Sequence, residues 1–81
     1  MKHEPTIFRA KGFRFFFFSR EERRIHVHVY YSGGEAKFWV EPEVKLAQNY
    51  GLKEKDLKEA QTLIEEPIDE IKTTWKRHFA S

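Results

Sequence analysis

The stretch that decides the fold is residues 25–41, IHVHVYYSGGEAKFWVE. Successive side chains of a β-strand point to opposite faces of the sheet. Histidine alternates with valine before the glycines, and polar residues alternate with apolar ones after them. Two such runs separated by glycine are typical of a β-hairpin. The segment therefore predicts two antiparallel strands with one apolar face and one polar face.

A two-residue turn at Gly33 and Gly34 would fix the register of this hairpin. Tyr30 would then lie opposite Lys37, and Val27 opposite Val40. In this register one face carries His26, His28, Tyr30, Lys37, Trp39 and Glu41. The other face carries Val27, Val29, Tyr31, Ala36, Phe38 and Val40. Because the second set is mainly apolar, we expect it to face the core.

An earlier hairpin is predicted on either side of residues 11–12, a Lys-Gly pair suited to a tight turn. Residues 6–10 and 13–18 supply the two strands, which are rich in Phe. Arg9 then faces Arg14 on the same side as the histidines. Two opposed guanidinium groups repel each other unless a counter-charge lies nearby.

The second half of the sequence has helical periodicity. Residues 43–50 carry spaced apolar side chains and end at Gly51, a residue typical of helix C-termini. Residues 57–79 repeat apolar positions in steps of three and four, as one face of an amphipathic helix does. Pro67 interrupts this stretch, so we expect a kink or a restart near Glu66.

These patterns predict a single α+β domain over residues 1–81, with a hairpin half at 1–42 and a helical half at 43–81. The expected architecture has two layers. A four-stranded antiparallel sheet made of two hairpins is followed by two or three helices that pack on one of its faces.

Composition narrows the function classes. The chain has no cysteine, which excludes disulfides and thiolate metal sites. Its start lacks the apolar run of a signal peptide and no stretch is long enough to span a membrane, so we expect a cytoplasmic protein. Residues 1–40 carry eight Lys/Arg against four Glu, whereas residues 41–81 carry seven against nine acidic residues. This asymmetry favours an anionic partner for the first half.

Several segments together resemble one family, the domain of unknown function 4160 family of small prokaryotic proteins. The resemblance rests on PTIFR at 5–9, GFRFFFFS at 12–19, HVHV at 26–29, GEAKFWVEP at 34–42 and LAQNYG at 46–51. Members are often encoded beside another small protein, which implies a bacterial two-gene module of the toxin–antitoxin kind. The resemblance thus implies a protein partner from the neighbouring gene, and it implies no established activity.

The polar face of the predicted sheet is the candidate binding surface, because cationic and aromatic side chains alternate on it. The residues expected to bind are Arg9, Arg14, Phe16, Phe18, His26, His28, Lys37 and Trp39. Exposed aromatic rings on a sheet stack unpaired bases, and cations neutralise phosphates. Aromatic residues and Arg also anchor protein interfaces, so RNA, a partner protein and a second copy of the chain all remain open.

Two other functions compete with binding to RNA or to a protein, namely RNA cleavage and metal binding. His26 and His28 would supply a general acid and a general base for metal-independent RNA cleavage, as in a ribonuclease-type toxin. The same pair would begin a metal site, but zinc takes three or four ligands and only Glu41, His3 and His78 are available to complete it. We therefore predict no metal and no cofactor. The simplest alternative is that the chain's own loop or terminus covers the aromatic rings.

Overall fold

The computed structural model describes residues 6–17 and 23–79, and it has the predicted α+β architecture. An antiparallel sheet comes first and two helices follow. The strands lie side by side in chain order as β1 (Thr6–Ala10), β2 (Phe13–Phe16), β3 (His26–Tyr31), β4 (Gly34–Trp39) and β5 (Lys45–Tyr50). The helices are α1 (Glu54–Glu65) and α2 (Ile68–Phe79).

The first hairpin has the predicted turn. Lys11 and Gly12 have φ angles of 51° and 86°, the left-handed conformation that a tight turn of this type requires. Arg9 lies opposite Arg14, as the sequence predicts. The pairing of β1 with β2 then shifts at Ile7, where a bulge interrupts the register.

The second hairpin turns at Ser32 and Gly33, one residue earlier than predicted, with φ angles of 48° and 85°. His28 therefore pairs with Lys37 and not with Trp39, a shift of two residues along β4. Because side chains alternate with a period of two, this shift leaves every residue on its predicted face. The predicted partners were wrong, but the two faces are correct.

Gly34 is a strand residue in the structure, and the close packing around it leaves no room for a side chain. A Cβ at this position would lie 2.9 Å from the carbonyl carbon of Gly51 and 2.9 Å from Cδ2 of Leu52. The chain leaving β5 thus passes directly over the start of β4. The side chain of Asn49 stabilises that turn with two hydrogen bonds to Leu52. Its Nδ2 donates to the carbonyl oxygen of Leu52, and its Oδ1 accepts from the backbone N–H of Leu52, both at 3.0 Å.

The predicted helix over residues 43–50 was wrong, because Lys45–Tyr50 form a fifth strand on the free edge of β4. A helix of eight residues is marginal without a buried face. Pairing with β4 instead gives the backbone of this segment its hydrogen bonds and covers one side of β4. Within the described residues the sheet therefore has five strands and not the four predicted from the sequence, and two helices follow it.

The helical region breaks where the sequence predicts it. α1 ends at Glu65 and α2 begins at Ile68, so Pro67 stands directly before the second helix and not inside one long helix. Acidic residues occupy the first turn of both helices, and the last turn of α2 carries Lys76, Arg77 and His78. Both arrangements stabilise the helices, because acidic groups interact favourably with the positive N-terminal end of the helix dipole and basic groups with its negative C-terminal end.

The core lies between the helices and one face of the sheet. That face supplies side chains that are almost inaccessible to solvent: Phe13, Phe15, Val27, Val29, Ala36 and Phe38. The helices supply Ala60, Leu63, Ile64, Ile71 and Trp75. Neither helix in the described part of the chain is long and apolar enough to cross a membrane.

Candidate functional site

The face of the sheet opposite the helices is built from three cross-strand rows of side chains. The first row runs across all five strands through Arg9, Arg14, Tyr30, Glu35 and Tyr50. The second row contains Phe16, His28, Lys37 and Gln48. The third row contains His26, Trp39 and Lys45. We call these twelve residues the basic-aromatic face.

The first row is the most accessible part of this face. Tyr30 and Tyr50 are 45% and 63% exposed, among the largest exposures of any apolar or aromatic side chain in the described residues. Arg9 and Glu35 are also exposed, and Arg14 is half-buried. Neighbouring strands lie about 4.8 Å apart, so the backbones that carry the two tyrosines are separated by about 10 Å. Two flat rings thus stand on an accessible surface with Glu35 between them, and the two arginines continue the row on the other side of Tyr30.

Cations lie over aromatic rings in the other two rows. The guanidinium carbon of Arg14 is 4.5 Å from the ring centre of Phe16, which is only 3% exposed. The ring of Trp39 is flanked by Arg24 at 4.2 Å and Lys37 at 4.7 Å. Such cation–π contacts contribute about 0.5–1 kcal/mol each at accessible sites. These cations cover part of the aromatic surface that the sequence suggested would be open.

His26 is buried, with 3% of its surface exposed. Its Nδ1 lies 2.9 Å from the carbonyl oxygen of Arg24, and since a carbonyl only accepts, Nδ1 carries the proton and donates. The imidazole ring packs 5.0 Å from the ring of Trp75, which reaches it from α2. The expectation that His26 is a surface residue was therefore wrong, because a helix far along the chain closes this end of the sheet.

His28 occupies the middle of the face and is half-buried. Its ring stacks on Phe16 at 5.5 Å and meets the ring of His26 edge-on at 5.3 Å. The two imidazoles are close, as the HVHV pattern predicts. Their environments nevertheless differ, since one ring is sealed by α2 and the other borders the accessible surface.

The structure thus brings seven of the eight predicted binding residues onto one face: Arg9, Arg14, Phe16, His26, His28, Lys37 and Trp39. Phe18, the eighth, lies outside the described residues. Phe16 and His26 are too buried to contact a ligand directly.

Sequence reasoning missed Lys45, Gln48 and Tyr50, because the apolar spacing of the segment that carries them is that of a short helix. It also left Tyr30 and Arg24 out of the binding set. A signal for β5 exists in the sequence, since Pro42 and Gly51 bound a segment of strand length, and no Ser, Thr, Asp or Asn precedes it as a helix N-cap.

No cluster of three or more His, Cys, Asp or Glu side chains in the described residues is arranged to hold a metal ion. Glu41 instead pairs with Lys72 at 3.7 Å, and its carbonyl oxygen accepts a bond from Nε of Arg24. His78 packs against the ring of Phe17 at 5.8 Å. Of the additional ligands weighed from the sequence, His3 lies outside the described residues.

An antiparallel sheet that is backed by two helices and carries cations and aromatic rings on its other face defines a small α+β domain. Residues 12–76 match the family described as "Domain of unknown function (DUF4160)", and the chain belongs to that family. The matched region contains the basic-aromatic face from Arg14 to Tyr50. Comparison of the chain with curated proteins and with solved structures finds no match.

Proposed function

We propose that the basic-aromatic face binds single-stranded RNA without cleaving it. The observation that carries this proposal is the first cross-strand row, in which two exposed tyrosine rings stand on one surface with Arg9 and Arg14. Bases that stack on aromatic side chains contribute about 1–3 kcal/mol each. The guanidinium groups on the other side of Tyr30 in the same row neutralise phosphates of the same RNA strand.

Charge and composition favour a polyanion over a protein for this face. Within its three rows the cations are Arg9, Arg14, Lys37 and Lys45, whereas Glu35 is the one carboxylate. The rows contain no aliphatic side chain, because the exposed Leu46 pairs with Phe38 on the opposite face. Aromatic residues and Arg are also enriched in protein interfaces, so the excess of cations over carboxylates is what favours a polyanion on this face.

RNA is the class of ligand that suits the polar groups of the face. Single-stranded RNA presents unstacked bases together with a 2′-hydroxyl, which both donates and accepts hydrogen bonds. Gln48 is exposed in the second row, and its amide likewise has a donor and an acceptor.

The burial of His26 favours binding over cleavage. A general acid or base must reach the proton that it transfers, and acid–base cleavage of RNA needs two such groups. His26 is packed against Trp75 and its Nδ1 is engaged by a backbone carbonyl, so only His28 of this pair borders the accessible surface. Membership of a toxin–antitoxin-like module remains an expectation from the family resemblance, and the proposed function does not depend on it.

Fluorescence anisotropy with a labelled ten-nucleotide RNA tests the proposal. We expect saturable binding whose affinity falls as salt rises, because each neutralised phosphate adds about 0.7 to the negative slope of log K against log salt. The RNA should remain full-length on a denaturing gel after prolonged incubation. An absence of binding, or binding that is insensitive to salt, contradicts the proposed function. Degradation of the RNA contradicts the claim that the face only binds.

A further inference from the structure

An apolar groove lies at the edge of the sheet, away from the basic-aromatic face. Two hollows of about 550 Å³ and 500 Å³ meet there between β1 and the start of α2. Both are lined by Phe8 of β1 and by Pro67, Asp69 and Glu70. Each is within the size range of ligand-binding clefts.

The position of this groove is suited to an extended peptide. Among the residues that the structure describes, β1 is an outer strand of the sheet and pairs with β2 alone, so its other side presents backbone N–H and carbonyl groups. A peptide that adds to an edge strand beside a helix gains main-chain hydrogen bonds and places alternate side chains in the groove. Here α2 forms the wall, with Thr74 and Arg77 further along it.

The charged side chains around the groove indicate the charge of the segment that would bind there. Glu66, Asp69 and Glu70 are exposed around the hollow next to Pro67, and none of them forms an ion pair within residues 6–17 and 23–79. Arg77 lies at the other end of the groove. The rim is therefore acidic near the start of α2 and basic near its end. A complementary segment carries a basic side chain at the acidic end, beside an apolar side chain that covers Phe8.

The same charges disfavour a second copy of this chain as the occupant. If two copies paired through β1 about a two-fold axis, two Arg9 side chains would approach each other at the interface. Arg9 already faces Arg14 across the first hairpin, so a further guanidinium would increase the repulsion. The pairing would also bring two acidic rims together.

We propose that the groove between β1 and α2 binds an extended, basic segment of a partner protein, which adds to the sheet as a strand on β1. This inference does not rest on RNA binding: β1 also carries Arg9, but none of the residues that line the groove belongs to the basic-aromatic face.

Two labelled synthetic peptides test this proposal by fluorescence anisotropy on the full chain. The basic probe is Thr-Leu-Thr-Lys-Thr, and the matched acidic probe is Thr-Leu-Thr-Glu-Thr. We expect the basic peptide to bind at least about tenfold more tightly at low salt, a preference that corresponds to about 1.4 kcal/mol. Replacing the central threonine of the basic peptide with proline should weaken binding, because proline cannot donate a ladder hydrogen bond.

Three variants of the chain locate the binding. Glu70→Lys should remove the preference for the basic peptide, whereas Glu43→Lys, an exposed acidic residue outside the groove, should leave it unchanged. Thr74→Trp fills the groove without altering its charge and should abolish binding of both peptides. It also keeps the proposal testable if the change in charge at Glu70 weakens α2. Circular dichroism confirms that each variant is folded.

The proposal is overturned if neither peptide binds, if both bind equally, or if Glu70→Lys and Glu43→Lys behave alike. A concentration-dependent dimer that Thr74→Trp abolishes, together with no peptide binding, would also overturn it and would make a second copy the occupant.

Discussion

Tyr30 and Tyr50 pair with the same residue, Glu35, from the two strands that flank β4. Paired residues of neighbouring antiparallel strands project from the same face, so the two phenol rings share one surface although they are far apart in the sequence. This relationship arises only because residues 45–50 form a strand. It supplies the accessible aromatic surface on which the proposed RNA binding depends.

The two tyrosines should contribute to RNA affinity, whereas an exposed apolar residue on the other face should not. We expect Tyr50→Ala to weaken RNA binding about 5- to 150-fold, the loss that corresponds to about 1–3 kcal/mol for one stacked base. Leu46→Ala is the matched control, because Leu46 lies on the same strand, is 44% exposed and projects from the opposite face. Anisotropy titrations with one RNA measure both. Equal losses of RNA affinity in the two variants would show that binding depends on the integrity of β5 and not on the tyrosine ring.

Removal of the paired arginines should alter the salt dependence of binding. Arg9→Gln and Arg14→Gln each remove one cation from the first row. If each guanidinium neutralises one phosphate, each variant should lower the magnitude of the salt slope by about 0.7. Arg77→Gln, in the last turn of α2, removes the same charge elsewhere and should leave the slope unchanged. Identical slopes in all four proteins would place the phosphate contacts on another surface.

The two histidines should differ in their contribution to stability. His26→Ala removes a buried ring that contacts Trp75 and leaves the carbonyl of Arg24 without its donor, so we expect it to cost about 2–4 kcal/mol of unfolding free energy. His28→Ala truncates a half-buried ring and should cost less than half as much. Urea unfolding followed by tryptophan fluorescence measures both. A loss that is larger for His28 would contradict the placement of His26 under α2.

Gly34 and Gly33 should tolerate substitution to different degrees and for different reasons. Gly34→Ala places a methyl group against the backbone of Gly51, so we expect a loss of about 1–3 kcal/mol from overpacking. Gly33 has open space around it but a φ angle of 85°, so Gly33→Asn, which tolerates that conformation, should cost little. Thermal unfolding compares the two variants. A well-tolerated Gly34→Ala would contradict the close approach of the two chain segments.

Much of the sheet could be predicted from local sequence, because an error of two residues in the strand register leaves each side chain on the same face of the sheet. The turn of the second hairpin is at Ser32 and Gly33 and not at Gly33 and Gly34, which displaces every pair by two residues along β4. A displacement of two preserves the face of each side chain, so His28 and Lys37 remain on the surface where they were expected. A displacement of one would have exchanged the faces.

The fifth strand could not be predicted from apolar spacing alone. Residues 45–50 have the spacing of a short helix, and in the structure the free edge of β4 decides their conformation by supplying backbone partners. That edge exists only after the second hairpin has formed. As a result, the sequence analysis did not identify Tyr50, the most exposed ring of the proposed site.

The burial of His26 depends on a contact between distant parts of the chain. The alternation in HVHV correctly assigns His26 and His28 to one face, but the position of Trp75 determines which of them solvent reaches. No local pattern encodes how far a helix extends beyond the end of a sheet. The candidate ribonuclease pair was therefore a reasonable prediction from spacing that the tertiary contact disfavours.

The most direct test of the central claim is amide chemical-shift mapping of the ¹⁵N-labelled protein during titration with a ten-nucleotide single-stranded RNA. The account predicts that the largest shifts occur at Tyr30, Glu35, Lys37, Gln48 and Tyr50, with little change along the exposed residues of α1. Shifts confined to the helices or to the groove between β1 and α2, or no shifts at all, would contradict the assignment of RNA binding to the basic-aromatic face.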